Sequence, residues 1–171
     1  MFYVAYLHSI FFHVLAAWAL VFGQQIKVAP KKAGNWMYST VTVAGSREAL
    51  QIASLPGTPV IASGEGNRKA PYLAFYCQRG SAKELNAFVD WRRDIGVGEG
   101  LVKLNGVAMP GFVGMPLVEG DRGKMSLPQT LVPLLREAIQ IEVIVKGVEA
   151  RFLLLHWDAV QQGLLRSCRA D

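Results

Sequence analysis

Formally charged side chains are missing from the first 23 residues: all 18 Lys and Arg and all 13 Asp and Glu lie beyond Gly23. Charge is sparse overall, 18% against 51% hydrophobic, which excludes a disordered or low-complexity chain and leaves a sizeable core for 171 residues. One domain is expected. Cysteine is scarce too, with only Cys77 and Cys168, and of three histidines only His156 lies outside the uncharged run. Two distant cysteines and one histidine make no zinc site, so no metal is expected. A nucleophilic triad needs a base beside Ser or Cys, and His156, closing the apolar run Phe152-Leu-Leu-Leu155, reads as structural.

Phosphate-binding signatures are also lacking. Gly96-x-Gly98-x-Gly100 and Gly64-x-Gly66 have neither the GxGxxG nor the Walker spacing and precede no convincing helix, so they read as turns and no cofactor is expected. Glycoside chemistry needs two carboxylates facing one cleft; Asp90 with Asp94, or Glu119 with Asp121, are the nearest candidates. Acidic residues in turns are usually solvated, and a hydrolase is the least favoured class. The net charge of +5 is modest, and Lys31-Lys32, Arg92-Arg93, Arg166 and Arg169 are scattered rather than gathered in a stripe. No nucleic-acid partner is expected; a basic exported domain more naturally meets anionic lipid head groups or wall polymers.

What is present begins with residues 1–23. The stretch 11–22 fits the apolar core of a secretory signal, and Val21-Phe22-Gly23 is an imperfect cleavage site, although the segment before it carries no Lys or Arg. The run is also just long enough to span a hydrocarbon core of ~30 Å as an uncleaved anchor, which would give the protein membrane contact through residues 1–23. A buried core helix is the third reading and needs more partner surface than the remainder provides. Lys27, Lys31 and Lys32 follow the run, and for an anchor the positive-inside bias would keep the rest in the cytoplasm. The even cysteine count argues for export, where Cys77 and Cys168 most simply form a disulfide; two unrelated buried thiols are the alternative.

Residues 24–35, polar and broken by Pro30 and Gly34, read as a linker to a single domain over 36–171. From Trp36 short β-branched and aromatic segments alternate with Gly, Pro and Asn, predicting strands near 36–43, 47–54, 71–77 and 84–91. Residues 63–69 and 96–100 read as exposed loops. Asn105-Gly106 predicts a type I′ hairpin turn, 119–123 a second hairpin, and Gly147 a third between 140–146 and 151–156. A helix starting near Ser126 or Thr130 is expected to cover 131–138, Pro133 fitting if Thr130 is the N-cap, and another is expected over 158–168 capped by Asp158. The fold expected is α+β: a β-rich antiparallel sheet or small sandwich with one inserted helix and a C-terminal helix after the apolar leader. On the strand 71–77, Tyr72, Ala74 and Tyr76 share one face and Leu73, Phe75 and Cys77 the other, so the sheet is either buried on both faces or exposes an aromatic one.

The order Trp36-x-x-Ser39, Leu73-x-x-x-Cys77, Val89-x-Trp91, a long hairpin region, Leu131-x-x-Leu134-Leu135, a strand pair, and a last helix ending in Cys168 resembles the type VI secretion-associated periplasmic proteins of the TagO/VasI kind. It spans about 36–168. This chain departs from the family pattern at Lys103-Leu-Asn105 and at Phe112-Val-Gly-Met115. The resemblance implies an exported, periplasmic β-rich domain bridged from Cys77 to Cys168, with an accessory rather than catalytic role. The function expected is therefore protein–protein binding in the bacterial envelope, with no catalytic residue. The alternative is an inhibitor or immunity protein acting on a cell-wall hydrolase or toxin. Candidate partner-surface residues are Trp91, Asn105, Gly106, Phe112 and Asp121, with Tyr72 and Tyr76 as a second face.

Overall fold

The computed structural model describes residues 31–42, 49–59, 70–80, 84–109, 112–117 and 119–169. The apolar run 1–23 and the loop 63–69 lie outside the described residues. Twelve strands lie among the described residues: β1 (Lys31–Ala33), β2 (Trp36–Thr42), β3 (Ala49–Pro56), β4 (Thr58–Pro59), β5 (Tyr72–Gln78), β6 (Asn86–Asp90), β7 (Gly98–Leu104), β8 (Val107–Ala108), β9 (Phe112–Pro116), β10 (Lys124–Leu127), β11 (Gln140–Val145) and β12 (Val148–Leu153). A 3₁₀ helix (Gln129–Glu137) and α1 (Trp157–Cys168) complete the chain. This is the expected α+β architecture with an antiparallel sheet, one inserted helix and one terminal helix.

Hydrogen-bonded neighbours run β1-β2-β3-β5-β6-β10-β9-β7-β11-β12-β4, with β8 beside β7. Two features connect the halves of this path. Along β9, Phe112 to Gly114 pair with β7 while Met115 and Pro116 pair with β10, so one strand belongs to both halves. β3 and β4 are separated only by Gly57, yet β3 pairs with β2 and β5 whereas β4 pairs with β12. The path thus ends on the continuation of a strand near its start. Gly57 permits this corner because a Cβ there would collide with Cε1 of Phe152 and lie 2.7 Å from its Cδ1.

One face of the sheet holds the main core, including Leu55, Leu73, Phe75, Val89, Met125, Ile141, Val143 and Phe152. On β5 the alternation resolves as burial on both faces: Leu73, Phe75 and Cys77 face the main core, while Ala74 joins Val41, Leu50, Ile52 and Phe88 in a smaller cluster with Tyr76 against it. The main core is closed by α1. Its buried stripe of Trp157, Val160, Leu164 and Cys168 has helical spacing and packs on β3 and β5. At its start Trp157 meets Phe75 at 4.2 Å and Trp36 at 5.7 Å between ring centroids, and the Trp36 indole N–H donates to the Leu155 carbonyl at 2.9 Å. At its end Cys168 is joined to Cys77 on β5, with Cα atoms 6.1 Å apart. The terminal helix is therefore fastened at both ends.

Several expectations are corrected. Residues 31–33 of the expected linker form β1, because a turn at Gly34 (φ +62) lets them pair back on β2. Gly98 and Gly100 lie within β7, not in a loop: a Cβ on Gly100 would be 2.6 Å from the Phe112 ring, and the stem of Lys146 lies across Gly98. The inserted helix is 3₁₀ and starts after Pro128, since Pro133 has no N–H to offer the preceding turn and its ring opposes α-helical packing there. The last helix begins at Trp157, and its N-cap is not Asp158 but His156, held at φ +64 with no side-chain cap.

Candidate functional site

Where β6 and β10 part, their following and preceding loops stay tied together. The register pairs Asp90 with Lys124; beyond it the Trp91 N–H donates to the Gly123 carbonyl at 2.8 Å and the Ile95 N–H to the Arg122 carbonyl at 3.2 Å. Between these loops lies an open cleft of about 410 Å³ lined by Asp90, Arg92, Arg93, Asp94, Asp121, Arg122 and Lys124, with Gly120 and Gly123. It contains three of the four carboxylates proposed above as acid–base pairs; Glu119 does not line it.

Each of the three carboxylates is used by its own loop. Asp90 accepts the Arg92 N–H at 2.8 Å, Asp94 accepts the Gly96 N–H at 2.7 Å, and Asp121 accepts the Gly123 N–H at 2.9 Å. These are Asx turns, in which an aspartate bonds the backbone two residues on and fixes the loop's course. Asp121 also pairs with the Lys124 ammonium at 2.9 Å. Burial alone would raise the Asp121 carboxyl, but the bonds from Lys124 and Gly123 outweigh it and hold the group below its ordinary value. A general acid working near neutrality needs the opposite shift. The Arg122–Asp94 contact, 3.7 Å between groups 51% and 66% exposed, is a loose surface pair that contributes little. The chemistry this arrangement offers is electrostatic: four cations against three carboxylates on one rim, on loops that are already shaped.

The candidate partner residues do not form one surface. Because β7 runs from Gly98 to Leu104, Asp121 and the loop 92–97 lie at one end of the sheet and Asn105-Gly106 at the other. Trp91 is 3% exposed and belongs to the core, which removes its side chain from any contact surface. Asn105 (φ +50) and Gly106 (φ +82) make the expected tight turn, but the Asn105 side chain is engaged with Ile139 N–H, Gln140 N–H and the Glu137 carbonyl. Phe112 is half-buried over Gly100. Tyr72 is half-buried with the Arg92 guanidinium 5.4 Å from its ring centre. Tyr76 lies against Phe88, and burial pushes its phenol above the ordinary value. His156 is exposed at the entry to α1, with no neighbour arranged for catalysis in the described bonds.

Arg122, Lys124 and Lys146 were not singled out by sequence reasoning. The usable signal was the repeated Asp-x-Gly, at Asp94-Ile-Gly96 and Asp121-Arg-Gly123, which marks two Asx turns built alike. Among the described residues no group of His, Cys, Asp and Glu is arranged to hold a metal ion, and no helix is long and apolar enough to cross a membrane. Comparison with family models, curated proteins and solved structures returns no match for this chain.

Proposed function

We propose that this chain is an exported, non-enzymatic accessory protein of the bacterial envelope that acts by binding another protein, in the manner of the type VI secretion-associated periplasmic proteins it resembles. The observation that carries the reading is the bridge between Cys77 and Cys168, which fastens the terminal helix to the central sheet. Such bonds persist in oxidising compartments and are rare in the cytosol. The carboxylates of the cleft support a binding role, since all three are committed to loop turns and Asp121 is shifted away from proton donation.

Fractionation of expressing bacteria, combined with thiol alkylation before and after reduction, tests this. The expected result is recovery outside the cytoplasm with both thiols blocked until reductant is added. Full-length chain in the cytosol with two reactive thiols overturns it. A crosslinking pull-down from the envelope fraction then separates the class of partner: a secretion component fits the accessory reading, whereas a wall hydrolase or toxin replaces it with the inhibitor reading.

A further inference from the structure

We propose an anion site beside the cleft, next to Gly96, where the Arg122 guanidinium and the Lys146 ammonium together hold a phosphoryl group. A Cβ placed on Gly96 would lie 2.8 Å from Arg122 Nη2 and 3.0 Å from Lys146 Nζ. Both cations therefore pack against the same bare stretch of backbone, with their nitrogens at most about 6 Å apart, which is inside the ~8 Å screening length at physiological ionic strength. They arrive from different elements. Arg122 comes from the loop before β10, and Lys146 from the type I′ turn between β11 and β12, with φ +50 followed by +75 at Gly147.

Glycine makes the convergence possible twice. At Gly96 (φ +72) the absent side chain leaves the space into which both cations reach, and at Gly98 the Lys146 stem lies where a Cβ would be 2.9 Å from its Cε. The local acids do not neutralise the pair. Among the described residues no carboxylate forms an ion pair with Lys146, Asp94 touches Arg122 only at 3.7 Å, and Asp121 is taken by Lys124.

Two cations this close together match an anion that carries several oxygens and more than one charge. The guanidinium supplies a planar fork of donors and the ammonium a point charge, a combination suited to phosphoryl oxygens. The adjoining cleft of about 410 Å³ is much larger than the anion and is lined by Arg92, Arg93 and Lys124 together with Asp90, Asp94 and Asp121, so it has room for the rest of a phosphate ester. A soluble phosphoester and a phospholipid head group share this chemistry. The site stands whether or not the chain is exported.

The test titrates the full chain with glycerol 3-phosphate while following backbone amide shifts, and in parallel measures sedimentation with phosphatidylglycerol vesicles against neutral phosphatidylcholine vesicles. The neutral arm cancels any contribution of the apolar run 1–23. Lys146→Met keeps the stem over Gly98 and removes the charge; Arg166→Ala, on the exposed side of α1, removes the same charge elsewhere. Saturable shifts at Gly96, Gly98 and Gly123, weakened about tenfold by Lys146→Met and by Arg122→Ala but unchanged by Arg166→Ala, establish the site for a soluble phosphoester. The same pattern seen only as a preference for anionic vesicles assigns it to a lipid head group. No saturable response in either arm, or equal weakening by Arg166→Ala, overturns the proposal. Unchanged far-ultraviolet circular dichroism confirms that each variant is folded.

Discussion

Reducing the bond between Cys77 and Cys168 is the perturbation whose size follows most directly from the fold. The cysteines are 91 residues apart in sequence. For a closed loop of that length the chain-entropy relation gives about 15 cal/mol/K, or about 4–5 kcal/mol at 25 °C, of constraint removed from the unfolded chain. Small domains are stable by only about 5–15 kcal/mol, so the bond accounts for a large share of the total. At roughly 2–4 °C per kcal/mol for a chain of this size, the melting temperature should fall by roughly 8–20 °C on reduction. Folding itself should survive at 25 °C, because Trp157, Val160 and Leu164 are each at most 3% exposed and still hold α1 on the sheet. The assay is thermal melting by circular dichroism with and without a phosphine reductant, with thiols counted under denaturing conditions, and Cys77→Ala/Cys168→Ala as the permanent version. A thiol count of two with a melting shift under about 2 °C would refute the argument that the bridge stabilises by restraining the unfolded chain. Loss of α-helical signal at 25 °C would show that the apolar stripe of α1 cannot hold it alone.

Gly57→Ala should destabilise by about 1–3 kcal/mol in urea unfolding, since the new methyl meets a Phe152 ring that is 1% exposed and has nowhere to go; Phe152→Leu in the same chain should restore part of the loss, and an unperturbed single variant would mean the corner is not as tight as described. Asp121 makes stability fall in acid. Its folded carboxyl lies below the ordinary 3.8, so its contribution is complete above that pH and disappears as the pH falls through the folded value. Asp121→Asn should accordingly lower stability at pH 7 and flatten the decline below pH 4, and identical acid profiles for the two proteins would contradict the assigned bonds.

Much of the fold was legible along the chain because strands and tight turns are written locally. The strands β2, β5 and β6 fall within a residue or two of their expected spans, and β3 starts two residues later, since β-branched and aromatic runs bounded by turn residues announce themselves without knowledge of their partners. Asn105-Gly106 and Lys146-Gly147 adopt left-handed backbone where the hairpins had to turn. The alternation on β5 likewise separated Leu73, Phe75 and Cys77 from Tyr72, Ala74 and Tyr76 before any contact was known.

Whatever depended on a distant neighbour was not legible. Glycines 98 and 100 look like loop residues by propensity, yet they are strand residues because the Lys146 stem and the Phe112 ring lie across them. The pairing of Cys77 with Cys168 stayed open against two separate buried thiols until the fold put β5 beside the end of α1. Trp91 reads as easily for a surface as for a core, and only packing put it inside. The charged cleft was the least visible feature. Asp90, Arg122 and Lys124 gather because β6 and β10 pair in one register and their loops share backbone bonds, and Lys146 joins Arg122 from a hairpin more than twenty residues further on. Local sequence sets backbone preference and the period of burial, whereas the meeting of like charges over one glycine is decided by ladder register, which is a property of the whole sheet.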